Sequence, residues 1–332
     1  MTLRIEPGLL EKIKQDDYPS AFLITDDQIG KIYPFFSNLK QFHVPLGEKS
    51  KSLEMARSIW NEMWEEGCDR KTIIIALGGG VITDLAGFVA SCYMRGIDYI
   101  SIPTSLLGMV DASIGGKTGV NLPNGKNIIG SFYPPKEILI DPNVLETLPE
   151  RQFRSGLAEV IKTAFILDPD FFTFLENNME KILDREENIL ISVIRRTIEL
   201  KLSVVEEDPK DQGRRAILNW GHTFAHAIET ATNYNEYEHG EAVAIGMGCE
   251  ARLSQEMNLL SSDVVSRLDK LIERAGLPST VPVIDVEELV SHMKRDKKSI
   301  SKNITCIVAE EIGKAYPEQV SDEQIHKVWS RC

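Results

Sequence analysis

A chain of 332 residues with 42% hydrophobic and 26% charged content is too long for one small core and too apolar for disorder, so two domains of about 100–200 residues each are expected. Its net charge of −13 argues against nucleic acid or an anionic membrane as the main partner, although local basic residues can still hold a small anion. Five scattered cysteines without a CxxC pair, an N-terminus without an apolar signal core, and no apolar run longer than "TIIIALGGGVI" together predict a soluble cytoplasmic protein in a reducing compartment.

The first half alternates strand and helix signals. "SAFLITDD" reads as a short strand ending in acids, and "SLEMARSIWNEMWEEGC" spaces its apolar residues as a helix does. "TIIIALGGG" is a buried-strand run ending in glycines, "DLAGFVASCYM" a helix, and "DYISIPTS" another strand. Such alternation predicts a mostly parallel sheet covered by helices. In "ALGGGVITDLAGFVA", Gly78, Gly79 and Gly80 stand between strand and helix, where backbone amides and the helix terminus can receive a diphosphate. The run does not complete G-x-G-x-x-G, because Thr83 takes the last glycine position, so a plain tight turn is the competing reading.

"TSLLGMVDASIGGKTGVNLPNGKNIIGSFYPP" follows, with Asp111, Lys117, Lys126 and Asn127 among glycines and small residues. It reads as a long loop without a regular pattern of its own, too apolar for disorder. Lysines converging near glycine-rich backbone suit phosphate or carboxylate groups, against the plainer reading of a surface loop. Pro142 and Pro149 punctuate "IDPNVLETLPE" and place a domain boundary there, giving residues 1–148 and 149–332.

Helical patterns dominate from there: "ERQFRSGLAEVIKTAFIL", "FFTFLENNMEKIL", "NILISVIRRTIELKLSVVEED", "GHTFAHAIETATN", "HGEAVAIGMGCEARLSQEMN" and "SSDVVSRLDKLIERAG". Long β-branched runs are nearly absent before "NITCIVAEEIGKAY". The second domain is therefore expected to be helical.

Three of the six histidines, His222, His226 and His239, fall within "NWGHTFAHAIETATNYNEYEHGEA". His222 and His226 share a helix face at a spacing of four, and His239 opens the next helix. Catalytic zinc commonly takes three His or carboxylate ligands and keeps one position open. Without the glutamate of HExxH the pattern is no protease signature, and structural histidines are the alternative. In "SGLAEVIKTAF", Glu159 and Lys162 lie in an apolar helix; a surface i,i+3 pair is the bland reading, yet neither residue is cheap to bury without a partner. Lys201, Arg215 and Asn219 precede the histidines, and Arg215, Asn219 and His222 point one way only if that segment is already helical.

Taken in order, "GGGVITDLAGFVAS", "YMRGI", "IPTSLLGMVDASIGGKTGVN", "GKNIIGSFYPP", "LPERQFRSGLAEVIKTA", "LNWGHTFAHAIE", "HGEAVAIGM" and "RDKK" closely resemble the 3-dehydroquinate synthases of the sugar-phosphate cyclase superfamily, over nearly the whole chain. The resemblance implies an α/β N-terminal Rossmann-like NAD domain, an all-α C-terminal domain, an active site between them, and a homodimer. It places metal ligands on Glu159, His222 and His239, for Zn2+ with Co2+ as an alternative, and a catalytic histidine on His226. Substrate positions fall on Arg95, Asp111, Lys117, Asn127, Lys162, Lys201, Arg215, Asn219 and the pair Lys297–Lys298, of which Lys298 is taken. NAD positions fall on Asp26, Glu48, Lys51, Gly79, Gly80, Asp84, Thr104, Ser105, Lys126, Thr147 and Leu148. One departure is "DPKDQGRR", where Asp211 stands at a position often held by Glu. Another is the stretch between His226 and His239, whose length can vary.

The implied substrate is 3-deoxy-D-arabino-heptulosonate 7-phosphate, a small anionic sugar phosphate. The implied course is transient oxidation by NAD, phosphate elimination, reduction, ring opening and aldol closure. Arg95, Asn127, Arg215 and Asn219 look like the dehydroquinate branch rather than the inosose or valiolone cyclases. A related sugar-phosphate cyclase of the amino-dehydroquinate or inosose type, a metal-dependent polyol dehydrogenase and a non-catalytic NAD-sensing or scaffold protein stay open as alternatives.

Overall fold

The computed structural model describes residues 1–13, 17–123, 125–281, 284–296 and 304–330. The lysine pair Lys297–Lys298 lies outside the described residues. The chain divides into two compact units, Met1–Leu148 and Pro149–Cys332.

The first unit carries β1 (Thr2–Ile5), α1 (Leu9–Lys12), β2 (Ala21–Asp26), α2 (Ile29–Ile32), β3 (Lys40–Val44), α3 (Leu53–Glu65), β4 (Ile73–Gly78), α4 (Gly80–Cys92), β5 (Tyr99–Pro103), β6 (Lys117–Leu122), β7 (Gly125–Phe132) and β8 (Glu137–Ile140). Six strands form one sheet in the order β1-β8-β5-β4-β2-β3, with every pairing parallel. Ile24 lies opposite Ala76, and Ile75 opposite Ile100. A parallel sheet is covered on both faces, so its strands read as continuous apolar runs; all six residues of β2 are buried. Phe22, Ile59, Met63, Ile74, Leu85 and Val89 meet in one core cluster. Burying each such side chain contributes about 1.5–3 kcal/mol before entropy is charged.

The segment read as a long loop is more ordered than its pattern suggests. Residues Gly108–Ala112 form one π-type turn, and β6 and β7 pair antiparallel, with Thr118 opposite Ser131 and Val120 opposite Ile129. Glycine hides the alternation there. Gly119 and Gly130 face each other, and a Cβ on Gly119 would sit 2.8 Å from the Ile129 carbonyl oxygen. Close backbone approach has replaced the side chains that would mark a strand.

The second unit carries α5 (Glu150–Leu167), α6 (Pro169–Leu183), α7 (Glu187–Glu207), α8 (His222–Ala231), α9 (His239–Glu256), α10 (Ser262–Arg274), α11 (Val286–Asp296), β9 (Ile304–Glu311), β10 (Lys314–Val320) and α12 (Asp322–Trp329). Helices α5 and α9 are buried over most of their length, and α9 packs against both α5 and α8. Start signals are explicit: Asp168 accepts from the Asp170 and Phe171 amides before α6, with Pro169 at the first helical position. Glu238 and Glu241 close a capping box on α9. The unit is mostly helical, as its periodicity predicts, with one addition: β9 and β10 pair as an antiparallel hairpin at the single β-rich run. No helix among the described residues is long and apolar enough to cross a membrane.

Candidate functional site

In the second unit, α5 contributes Glu159 and Lys162, α8 contributes His222 and His226, and α9 opens on His239. Glu159 is 1% exposed and Lys162 2% exposed, so the bland reading of a surface pair fails. Lys162 Nζ pairs with Glu159 Oε2. Glu159 Oε1 has no hydrogen-bond partner among the described residues. It faces His222 Nε2 at 3.6 Å and His239 Nε2 at 3.7 Å. One donor atom from each of the three residues lies within 4.8 Å of the others. Two imidazole nitrogens and a carboxylate oxygen converging on one point form the donor set of an open three-ligand metal site. The orphaned Glu159 oxygen gives the physical reason: a buried carboxylate without enough donors is costly, and a divalent cation would satisfy it.

Both imidazoles are oriented from behind. His222 Nδ1 lies 3.2 Å from the Trp220 carbonyl, and His239 Nδ1 lies 3.3 Å from Glu229 Oε1. A donor role at each Nδ1 leaves each Nε2 lone pair pointing at Glu159. Burial, then the Lys162 charge, then the neighbouring His239 and His226, hold His222 well below the usual imidazole range. Neutral imidazole is the form that ligates. His226 is not part of the triad; its ring stands edge-on to His222 with centroids 5.6 Å apart.

Arg215 and Asn219 do not continue into α8. Residues Arg214–Asn219 form a 3-10 turn, and Gly221 then takes φ 83°, so the helix begins afresh at His222. A Cβ on Gly221 would lie 2.8 Å from the Val243 carbonyl, so glycine is needed there for both conformation and space. The Gly221 amide donates to the buried Glu250 carboxylate on α9 at 2.6 Å. Arg215 and Lys201 are buried, and Asn219 is exposed. The carboxylate of Asp208 accepts from the amides of Gln212, Gly213 and Arg215 and so shapes the loop that presents Arg215; these bonds, the Gln212 amide first, lower its pKa.

In the first unit, β2 leads to β3 on one side, whereas β4 leads to β5 on the other. Such a reversal leaves a crevice at the carboxyl ends of β2 and β4, the usual ligand position of an open parallel sheet. Asp26 ends β2 and Gly78 ends β4. The three glycines have different reasons to be there. A Cβ on Gly78 would meet Ile82 at 2.6 Å, which is a packing demand. A Cβ on Gly79 would meet only Ser105 Oγ at 3.5 Å, and one on Gly80 only Ala112 at 3.4 Å. Gly79 has φ −73°, open to any residue, and caps α4 without a side chain. Neither space nor backbone conformation therefore demands glycine at 79, and the approach to the α4 amides is open there. Thr104 donates its amide to the Gly78 carbonyl, and Ser105 stands beside Gly79.

A second group joins Glu48, Lys51, Asp84 and Asn127. Lys51 pairs with Asp84 and donates to Asn127 Oδ1 at 2.6 Å. Burial raises the Asp84 pKa, and the Lys51 ammonium draws it back. Asn121, which sequence reading missed, ties the group together: its side chain donates to Glu48 at 2.7 Å and accepts from the Asn127 amide at 2.8 Å. Thr147 hydrogen-bonds the Tyr33 hydroxyl at 2.6 Å, with Leu148 next to it. Asp111 sits in the π-type turn, Lys117 begins β6, and Lys126 lies on β7. Asp26 also has a structural duty, capping the turn through the Gln28 and Ile29 amides. Arg95 lies at the other end of α4 from Gly80. It is exposed, at φ 71°, just past the C-terminus of α4, about 20 Å along the helix from Gly80.

The fold, with a crevice at the carboxyl ends of β2 and β4 in one unit and a three-donor pocket in the other, is that of the sugar-phosphate cyclases. The fold is similar to 2-epi-5-epi-valiolone synthase from Streptomyces hygroscopicus subsp. jinggangensis, solved with NAD+ and Zn2+ bound (TM-score 0.90, 28% identity, 99% of this chain and 95% of that one). It is also similar to 2-deoxy-scyllo-inosose synthase complexed with carbaglucose-6-phosphate, NAD+ and Co2+ (TM-score 0.87, 28% identity, 99% and 96%). A probable glycerol dehydrogenase from Sinorhizobium meliloti shares the fold alone, at 15% identity, TM-score 0.66 and coverage of 99% and 95%. Residues 41–155 match the family model described as 3-dehydroquinate synthase N-terminal, and residues 156–299 match 3-dehydroquinate synthase C-terminal. The 3-dehydroquinate synthase of Dictyoglomus thermophilum is 46% identical over 303 residues, 90% of this chain and 85% of the relative. That of Sulfurovum sp. is 50% identical over 275 residues, 83% and 77%. The chain belongs to the 3-dehydroquinate synthase family.

Proposed function

We propose that this chain converts 3-deoxy-D-arabino-heptulosonate 7-phosphate into 3-dehydroquinate and phosphate, in a reaction dependent on NAD and a divalent metal. The observation that carries the reading is the buried Glu159 oxygen, without a hydrogen bond, facing two oriented imidazole nitrogens in a member of this family. Glu159, His222 and His239 would hold Zn2+, and the same donor set suits Co2+. When bound, the metal supplies Lewis acidity toward substrate hydroxyls, and NAD supplies a hydride acceptor that is regenerated.

The chain's own residues have distinct duties in this reading. The α4 amides at Gly79 and Gly80 receive the NAD diphosphate, and Asp26, Glu48, Lys51, Asp84, Thr104, Ser105, Lys126, Thr147 and Leu148 hold the rest. Lys162, buried beside Glu159, offers a desolvated positive charge to the substrate. Arg215 grips a carboxylate by its planar fork, and Lys201 binds as a point charge. Lys117, Asn127, Asn219, Asp111, Lys298 and His226 complete the phosphate and hydroxyl contacts, and Arg95 is assigned to the substrate by resemblance. An assembly of two copies and a reducing cytoplasmic setting complete the reading. The free cysteines Cys68, Cys92, Cys249 and Cys306 support the latter.

The test is a coupled assay on full-length, zinc-loaded protein with the heptulosonate phosphate and a trace of NAD. Phosphate and dehydroquinate far exceeding the NAD, without lasting NADH, are expected. NADH accumulating with a polyol would instead establish a dehydrogenase.

A further inference from the structure

Buried carboxylates outside the metal triad require a reason, and Glu229 has no duty in the proposed reaction. It is 2% exposed and lies on α8, seven residues after His222. Positions 222, 226 and 229 follow at spacings of four and three, so one face of α8 carries all three. From that face Glu229 Oε1 reaches His239 Nδ1, on the following helix, at 3.3 Å. Nothing in local helix formation calls for this: α9 already has its capping box from Glu238 and Glu241.

We propose that Glu229 is the positioning residue for His239. An ionised carboxylate only accepts hydrogen bonds, so it selects the tautomer with the proton on Nδ1 and leaves the Nε2 lone pair free. The same contact fixes the ring plane, and Nε2 then points at Glu159 Oε1, 3.7 Å away. The negative charge behind the ring also makes Nε2 a stronger donor. Carboxylates stand on both sides of the ring: Glu159 Oε1 lies 3.7 Å from His239 Nε2 and Glu229 Oε1 3.3 Å from Nδ1. His239 needs such support more than His222, because its side chain is 30% exposed and His222's is 14%.

The inference rests on the metal reading above, so its test separates the two. Full-length wild type, Glu229→Gln, Glu229→Ala and His239→Ala are prepared metal-free, and thermal unfolding of each apo form establishes folding. Zn2+ affinity is then measured by chelator competition, and the Co2+-loaded forms are examined by visible absorption. Glu229→Gln keeps the shape and removes the charge. It is expected to weaken Zn2+ about 10–100-fold and to alter the Co2+ bands. Glu229→Ala is expected to weaken it at least as much, while NAD affinity stays unchanged in both. Wild-type Zn2+ affinity and an unaltered Co2+ spectrum in Glu229→Gln would overturn the role of Glu229. Wild-type affinity in His239→Ala would overturn the metal reading itself.

Discussion

Replacing Gly79 by Ala separates what the glycine turn does for the fold from what it does for a ligand. The new methyl would touch only Ser105 Oγ at 3.5 Å, an ordinary contact, and φ −73° is open to alanine. The unfolded chain also loses freedom, worth about 0.4–1 kcal/mol, which offsets the poorer N-cap propensity of alanine, so stability should change little. Gly78→Ala is the counterpart. Its Cβ would lie 2.6 and 2.7 Å from the Cγ1 and Cβ of Ile82, atoms near the backbone that cannot swing away. Overpacking of that kind costs about 1–3 kcal/mol, a fall of roughly 2–12 °C in Tm for a unit this size. Differential scanning calorimetry of the metal- and NAD-free proteins reads the fold, and equilibrium NAD binding reads the ligand. Gly79→Ala should keep its Tm and lose at least about tenfold in NAD affinity, because a methyl would stand where the diphosphate must approach the α4 amides. A Gly79→Ala protein that binds NAD as wild type does would refute the assignment of the turn to the nucleotide. One that loses as much stability as Gly78→Ala would refute the steric reasoning.

His222→Ala should remove bound metal and turnover together, and full metal stoichiometry by elemental analysis would sink its assignment as a ligand. Lys51→Ala leaves Asp84 without its cation and should cost about 3 kcal/mol in urea unfolding, the low end for a buried pair because Asp84 keeps some solvent. Asp168→Ala removes the α6 cap and should cost about 0.5–2 kcal/mol near neutral pH. Burial pushes the Asp168 pKa up, but the Phe171 amide and the Arg196 guanidinium outweigh it, and the net shift is downward. A depressed folded pKa gives stability that is complete above the ordinary carboxylate range and is lost as pH falls through the depressed value. The wild-type advantage over Asp168→Ala should therefore shrink on acidification below about pH 4; an advantage that grows in acid would contradict this sign.

Strands β2, β4 and β5 and helices α3 to α10 were legible in the sequence, because burial on one side writes a period into the chain and parallel strands buried on both sides write an apolar run; the short strands β1, β3 and β8 and the helices α1, α2, α11 and α12 were not read there. Gly78–Gly80 were legible as a strand-to-helix turn for the same local reason. The β6–β7 hairpin was not, since Gly119 and Gly130 erase the alternation where two backbones meet. The histidines show the same limit. A spacing of four puts His222 and His226 on one face of α8 but cannot say which of them meets Glu159, a carboxylate far back in the chain on α5. That choice is made by the packing of α5, α8 and α9, by the restart of the chain at Gly221, and by Glu229 and the Trp220 carbonyl behind the two rings. Periodicity reports which side of an element is buried. Which atoms face each other across that buried space is a property of the folded chain alone.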